Sequence, residues 1–232
     1  MLKQLVNLWK RSGIMIKAVD TFGSMLEDCA YVFENSWKVF TGELSMEAEK
    51  DNIHARDRQV NQKERDIRRM LLEHLTINPS EDASGCLALM SVVKDAERIG
   101  DYSKNILDLS KLLSKALPES RYLTKFRELY TQVDSFFPKT EKALFNDDEE
   151  AAHTVMEGHM TVNETCEGIT QELLRDSGAC GEDAIAFALA ARYFKRVSSH
   201  LKNVASSAVN PYSQIGYFQM PEVKDEEEED RD

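Results

Sequence analysis

Two ten-residue stretches decide the fold of this chain: residues 97–106 read ERIGDYSKNI, and residues 195–204 read KRVSSHLKNV. They align at an offset of 98 residues and share the arginine at the second position and a Lys-Asn pair at the eighth and ninth. A second pair, DRQVNQKERDI at 57–67 and HMTVNETCEGI at 159–169, aligns at an offset of 102 and shares Val-Asn and the final isoleucine. Two matches in the same order predict an internal duplication.

Helical periodicity surrounds both copies. Apolar residues recur at spacings of three and four, as on one face of a helix, through six segments. These segments are 18–40, 60–75, 86–117, 122–145, 149–174 and 182–209. Gly42, the stretch INPSEDASG at 77–85 and Pro118 act as separators. Pro138 lies inside the fourth segment and predicts a kink or break, after which the helix resumes.

The six segments group into two trios, and three helices can bury their apolar faces where fewer cannot. The predicted fold is therefore all-α, with two tandem antiparallel three-helix bundles related by duplication. The N-terminal repeat covers 1–118, the C-terminal repeat with its weaker motif covers 119–209, and residues 210–232 form an extended acidic tail.

Composition limits the class of partner. The formal net charge of −12, without a basic stripe carrying interleaved aromatic residues, disfavours nucleic acid. The four cysteines show no CxxC spacing, which indicates a reducing compartment and no zinc module. Lys10 and Arg11 interrupt the apolar N-terminus before it reaches the length of a signal peptide or a membrane span. A cytoplasmic protein without a transmembrane segment is expected.

Two acids on one helix face raise the main question about function. Glu97 and Asp101 lie four residues apart, where like charges cost roughly a few tenths of a kcal/mol unless a cation compensates. Asp57 and Asn61, with Glu64 a turn further on, line one face of the preceding helix. If the two helices are antiparallel neighbours, the oxygen atoms meet at one seam, and such a seam suits Fe, Mn, Mg or Ca.

Ordinary ion pairs are the alternative explanation for these acids. Lys94 lies three residues before Glu97, and Arg98 and Lys104 lie three residues before and after Asp101. At that spacing each base can neutralise an acid on its own helix without any metal.

The second repeat lacks the same acids. Lys195 and Ser199 stand where the first repeat has Glu97 and Asp101, and a lysine in place of a ligand excludes a site of the same kind.

Two other uses of the second repeat stay open. His159, Glu167 and His200 could form a substitute metal set, although histidines on polar faces are more often solvated. The local bases Lys195, Arg196 and Lys202 leave room for a phosphate site.

No catalytic residue is predicted, because the sequence contains no GxSxG, P-loop, HExxH or dinucleotide fingerprint. Two functions that the residues leave open are a metal-dependent enzyme of the carboxylate-bundle kind and a metal-free helical scaffold. The enzyme would need carboxylates and Glu-x-x-His ligands from several inward-facing helices.

The ERIGDYSKNI motif, preceded by DRQVNQKERDI and repeated in weakened form, resembles the PhoU family of phosphate-transport regulatory proteins. Over roughly residues 18–209, the resemblance implies two PhoU-type three-helix bundles, often assembled as homodimers and without enzymatic turnover. It also implies bound metal, with iron, zinc or manganese as candidates. The implied ligands are Glu97 and Asp101 on one helix and Asp57 and Asn61 on the other, with Glu64 as a further candidate.

The resemblance also implies what the chain does. A regulator of phosphate uptake and phosphate-starvation signalling is expected to contact a phosphate transporter, a sensor histidine kinase, or both. Such a protein would lie in the cytoplasm or peripherally at the inner face of the membrane. The second motif, KRVSS at 195–199, departs from the family pattern, so a different phosphate carrier is the alternative partner.

Overall fold

The computed structural model describes residues 13–78 and 83–217, and the long elements within these ranges are all helices. They are α1 Gly13–Phe40, α2 Met46–Ile77, α3 Ala83–Ser110, α4 Arg121–Asp134, α5 Phe136–Phe145, α6 Glu149–Arg175 and α7 Glu182–Val209. A short 3-10 turn, Tyr212–Gln214, follows α7. The all-α prediction with tandem helical bundles is confirmed.

Local sequence explains how the first two helices are joined. Gly42 takes the left-handed conformation, with φ of 81°, just after α1 ends. Ser45 then caps α2 by accepting a hydrogen bond from the Ala48 amide at 3.2 Å. Glu47 and Glu49 lie in the first turn, where the helix dipole favours negative charge. The chain therefore reverses direction and lays α2 antiparallel to α1.

The break predicted near Pro138 lies on the N-terminal side of the proline. α4 ends at Asp134 and α5 begins at Phe136, so Pro138 occupies the first turn of α5. A proline has no N–H to donate four residues back, but first-turn amides lack an intrahelical partner in any case. The helix therefore restarts before the proline, whereas the sequence placed the restart just after it.

The two trios share one core. α3 packs antiparallel against α7, and α1 contacts α4 and α5, so the first and second trios meet along their length. Phe194 of α7 lies at the centre with its ring edge-on to Phe33, Trp37 and Phe126, at centroid distances of 5.3 to 5.5 Å. A single cluster of buried apolar residues runs through both trios.

The start of the predicted tail is folded back rather than extended. The side-chain amide of Asn210 donates to the carbonyls of Gln214 and Tyr217, and the Gly216 amide donates to Ser206 Oγ at 2.7 Å. These bonds hold residues 210–217 against the end of α7. The acidic run at 224–232 and the apolar N-terminal stretch lie outside the described residues.

Among the described residues, no helix combines the length and the apolar character that crossing a bilayer requires.

A pair of glycines in α6 gives a direct test of how α5 packs. A Cβ built on Gly158 would lie 2.6 Å from Cζ of the buried Phe136, whereas nothing lies within 4 Å of a Cβ at Gly168. We expect Gly158→Ala to lower the free energy of unfolding by about 1 to 3 kcal/mol through overpacking. We expect Gly168→Ala to raise it by up to about 1 kcal/mol through helix propensity. Urea denaturation of both variants measures the difference, and equal effects would contradict the packing of Phe136.

Candidate functional site

The seam between α2 and α3 brings the predicted acids together, and Lys104 lies between two of them. Its Nζ donates to Asp57 Oδ2 at 2.8 Å and lies 3.6 Å from Asp101 Oδ1. Burial lowers the pKa of the Lys104 ammonium, but the hydrogen bond and charge of Asp57, with the charge of Asp101, outweigh it and raise that pKa above its ordinary value. An ammonium therefore compensates one end of the seam.

The other end of the seam is compensated in the same way. Lys94 Nζ donates to Glu97 Oε2 at 2.7 Å and lies 3.7 Å from Glu64 Oε1. Arg68 Nη2 lies 3.0 Å from that same Glu64 oxygen. Arg98 bridges the two ends, since its guanidinium lies 3.7 Å from Glu97 and 3.3 Å from Asp101.

We call this ladder of four acids and four bases the N-terminal seam. Its members are Asp57, Glu64, Arg68, Lys94, Glu97, Arg98, Asp101 and Lys104. The fifth predicted ligand, Asn61, donates its side-chain amide to the Asp57 carbonyl at 3.0 Å.

In this arrangement the acids do not fit a metal ion. Each carboxylate of the N-terminal seam is paired with a lysine or arginine, and a metal would have to displace these cations. No group of three or more His, Cys, Asp or Glu side chains within residues 13–78 and 83–217 is arranged to hold a metal. The metal site at these residues stays a prediction.

The equivalent seam between α6 and α7 has a different chemistry. His159 Nδ1 lies 3.0 Å from Ser198 Oγ, which is fully buried. Lys195 Nζ donates to Glu167 Oε1 at 2.7 Å. Burial, and then the charges of Lys202 and Lys195, lower the pKa of His159 to about 4, so the imidazole is neutral at pH 7. We call this the C-terminal seam.

The substitute metal set of the second repeat does not come together. His159 faces Ser198, and Glu167 is paired with Lys195. His200 leaves the C-terminal seam altogether, because its Nδ1 lies 2.6 Å from Asp95 Oδ1 on α3.

Two charged contacts were missed by sequence reasoning. Asp95 also accepts from Asn203 Nδ2 at 2.9 Å, so this acid joins α3 to α7. Asp28 of α1 is 1% exposed and accepts from Arg56 and from Lys63 Nζ, the latter at 2.6 Å. The sequence could have indicated the Asp28 contact, because Asp28 lies on the apolar face of α1 and its neighbours on that face are buried.

Comparison with known families identifies the repeats. The PhoU domain profile matches this chain twice, over residues 20–110 and 126–208. The chain belongs to the PhoU family. The two matches coincide with the two helix trios, so the duplicated PhoU domain and the two seams describe the same division of the molecule.

Solved PhoU structures share this fold. A phosphate transport system regulatory protein PhoU from Streptococcus pneumoniae aligns with a TM-score of 0.69 at 16% identity, covering 84% of this chain and 95% of that one. PhoU from Pseudomonas aeruginosa aligns with a TM-score of 0.65 at 17% identity, covering 90% and 97%. A comparison with curated protein sequences gives no significant match.

The neutral imidazole of this PhoU-family chain predicts a specific acid sensitivity. The pKa of His159 falls from 6.5 to about 4 on folding, so the unfolded chain binds more protons between those values. The corresponding stability is complete above pH 6.5 and is lost progressively as the pH falls towards 4. We expect His159→Gln to show a smaller drop in urea midpoint between neutral pH and about pH 4. An unchanged drop would contradict the burial of a neutral imidazole.

Proposed function

We propose that this chain is a PhoU-type regulator of phosphate uptake and phosphate-starvation signalling, which acts by contact with partner proteins. The observation that carries the proposal is the double PhoU domain match, which spans both helix trios. A solved structure with the same fold is described as a phosphate transport system regulatory protein. The partners are a phosphate transporter, a sensor histidine kinase, or both, reached from the cytoplasm at the inner face of the membrane.

Regulation by contact is consistent with how the molecule is built. The two repeats share one apolar core, so a partner that binds one repeat also affects the other. The charged contacts centred on Asp95 join α3 of the first repeat to α7 of the second. Any partner that favours one arrangement of these helices shifts the population towards it. Assembly as a homodimer is part of the proposal.

Catalysis is not part of the proposal. Burial raises the pKa of the Cys166 thiol to about 12, which disfavours the thiolate that a nucleophile needs. The sequence holds a Glu-x-x-His spacing at Glu150 and His153, but both side chains are exposed in the first half of α6. Neither faces the inside of a bundle, where a carboxylate-bundle enzyme places such ligands.

The function is tested in cells from which the chain has been removed. Uptake of radiolabelled phosphate, and expression of the phosphate-starvation genes, are measured in phosphate-rich medium with and without a restored copy. We expect both to change on removal and to return with the copy. Cross-linking of the restored protein in intact cells is expected to recover a phosphate carrier or a sensor kinase. Unchanged uptake together with unchanged starvation response would overturn the proposal.

The predicted metal at the N-terminal seam has its own test, separate from regulation. Metal content is measured on protein purified without chelator or affinity tag and on a Glu97→Ala/Asp101→Ala variant. Iron, zinc or manganese that is present in the native protein and lost from the variant would establish the site. If neither protein holds stoichiometric metal after reloading, the seam is an ion-pair ladder, as its geometry indicates.

A further inference from the structure

The balance of charge differs between the two seams. On α3, the bases Lys94, Arg98 and Lys104 alternate with the acids Glu97 and Asp101. At the same register on α7, all three bases are retained as Arg192, Arg196 and Lys202, while the two acids become Lys195 and Ser199.

The helix opposite α7 also lacks acids at the two positions that correspond to the seam acids of α2. Asp57 and Glu64 of α2 correspond to His159 and Cys166 of α6, and the neutral state of that imidazole means that it adds no negative charge. Glu167 is the one carboxylate of the described residues that pairs with a base of this seam, through Lys195. Bases that are balanced in the first repeat are therefore in excess in the second.

The excess charge borders an open groove. A groove of about 460 Å³ lies between α6 and α7, with Ala188 and Ala191 on one side. Arg192, Lys195 and Arg196 also line this groove. The small alanine side chains leave room between the helices, so a ligand can approach both arginines.

The two guanidiniums of the groove lack the partners that their counterparts have. Arg98 lies within salt-bridge distance of Glu97 and Asp101, at 3.7 and 3.3 Å. Arg192 and Arg196 are exposed, and neither has a hydrogen bond or ion pair within the described residues. They also lie four residues apart on one face of α7, where like charges repel unless an anion lies between them.

We infer that this groove of the C-terminal seam binds a phosphate group, carried by inorganic phosphate or by a small phosphate ester. A guanidinium presents a planar pair of donors that matches phosphate oxygens, and the two guanidiniums balance a dianion. The ammonium of Lys195 stays paired with Glu167, which also lines the groove. Thr170 and Gln171 on the α6 side add neutral hydrogen-bonding groups. Local shape and charge define this groove, so phosphate binding there is independent of the proposed regulatory role.

The test is calorimetric titration of the purified chain with inorganic phosphate and, separately, with ADP as a phosphate ester. We expect saturable binding of at least one of them, with a dissociation constant of about 1 mM or tighter. We expect Arg192→Gln/Arg196→Gln to weaken that binding at least about tenfold, equivalent to about 1.4 kcal/mol. The probe with the lower dissociation constant identifies whether the groove prefers inorganic phosphate or a phosphate ester.

Two further variants distinguish a specific phosphate site from non-specific electrostatic attraction of an anion to the protein surface. Arg58→Gln/Arg65→Gln removes two exposed arginines from α2 with the same change in net charge, and we expect it to bind like the native chain. Arg192→Lys/Arg196→Lys keeps the positive charge but removes the planar guanidinium donors. We therefore expect an affinity between that of the native chain and that of the Arg192→Gln/Arg196→Gln variant. Circular dichroism confirms that each variant is folded. Absence of saturable binding of both probes, or an equal loss in the Arg58/Arg65 variant, would overturn the inference.

Discussion

Replacing Asp28 with asparagine is expected to lower the free energy of unfolding by about 3 kcal/mol, because a buried charge pair would lose one partner. The Asp28 side chain is 1% exposed and accepts from Lys63 Nζ at 2.6 Å and from the Arg56 guanidinium. Lys63 also donates to Ser24 Oγ at 2.7 Å, which holds its ammonium against α1. Without the carboxylate, Lys63 keeps only neutral acceptors in a partly buried site.

The matched control for Asp28 is an ion pair on the surface. Lys111 Nζ lies 2.5 Å from Asp108 Oδ1 where α3 ends, but the side chains of Asp108 and Lys111 are 46% and 38% exposed. Asp108→Asn is expected to cost less than about 1 kcal/mol, since water replaces the lost partner. Urea denaturation at neutral pH measures both variants. Equal losses for Asp28→Asn and Asp108→Asn would contradict the buried position of Asp28.

The periodic parts of the fold were predictable because apolar spacing reports burial directly. The two copies of the motif lie on α3 and α7, which pack against each other at the centre of the molecule. The first half of α2, residues 46–59, was not covered by the predicted segments because half of its residues are charged and few are apolar. Its start could still be found from Ser45, which has the residue type and position of a helix cap.

The candidate site was predictable in position but not in chemistry. Spacing placed Asp57, Glu97 and Asp101 on facing helices, and the structure puts them on one seam. Spacing could not show that Lys104 reaches across from α3 to Asp57, because a long flexible side chain can point either along its helix or across the seam. The choice between metal and ion pairs therefore depends on side-chain directions that one sequence does not specify.

Contacts between the repeats were the least predictable part. His200 was considered as a metal ligand of its own repeat, whereas it lies against Asp95 of the other repeat and stacks on Tyr102 at a centroid distance of 5.7 Å. Residues 105 positions apart in the chain show no local pattern. Only the packing of α3 on α7 brings them together.

Truncating Phe194 to alanine is expected to destabilise both repeats at once, by about 3 to 5 kcal/mol. Phe194 is fully buried and contacts the rings of Phe33 and Trp37 in the first repeat and Phe126 in the second. Its loss leaves a cavity where the two trios meet. Because Phe194 packs against residues of both repeats, the loss of stability extends to the N-terminal repeat as well.

Two probes on one protein decide whether the repeats unfold together. The chain has two tryptophans, so a Trp9→Phe background makes Trp37 fluorescence a reporter of the contact between the repeats, while circular dichroism reports all helices. In a shared core the Phe194→Ala variant shifts both transitions to the same lower urea midpoint. Phe145→Ala, at a ring that is 38% exposed, is the control and is expected to cost less. If the circular dichroism transition split into two steps and only one of them coincided with the Trp37 transition, the repeats would be independent bundles, and signals could not pass between them through the core.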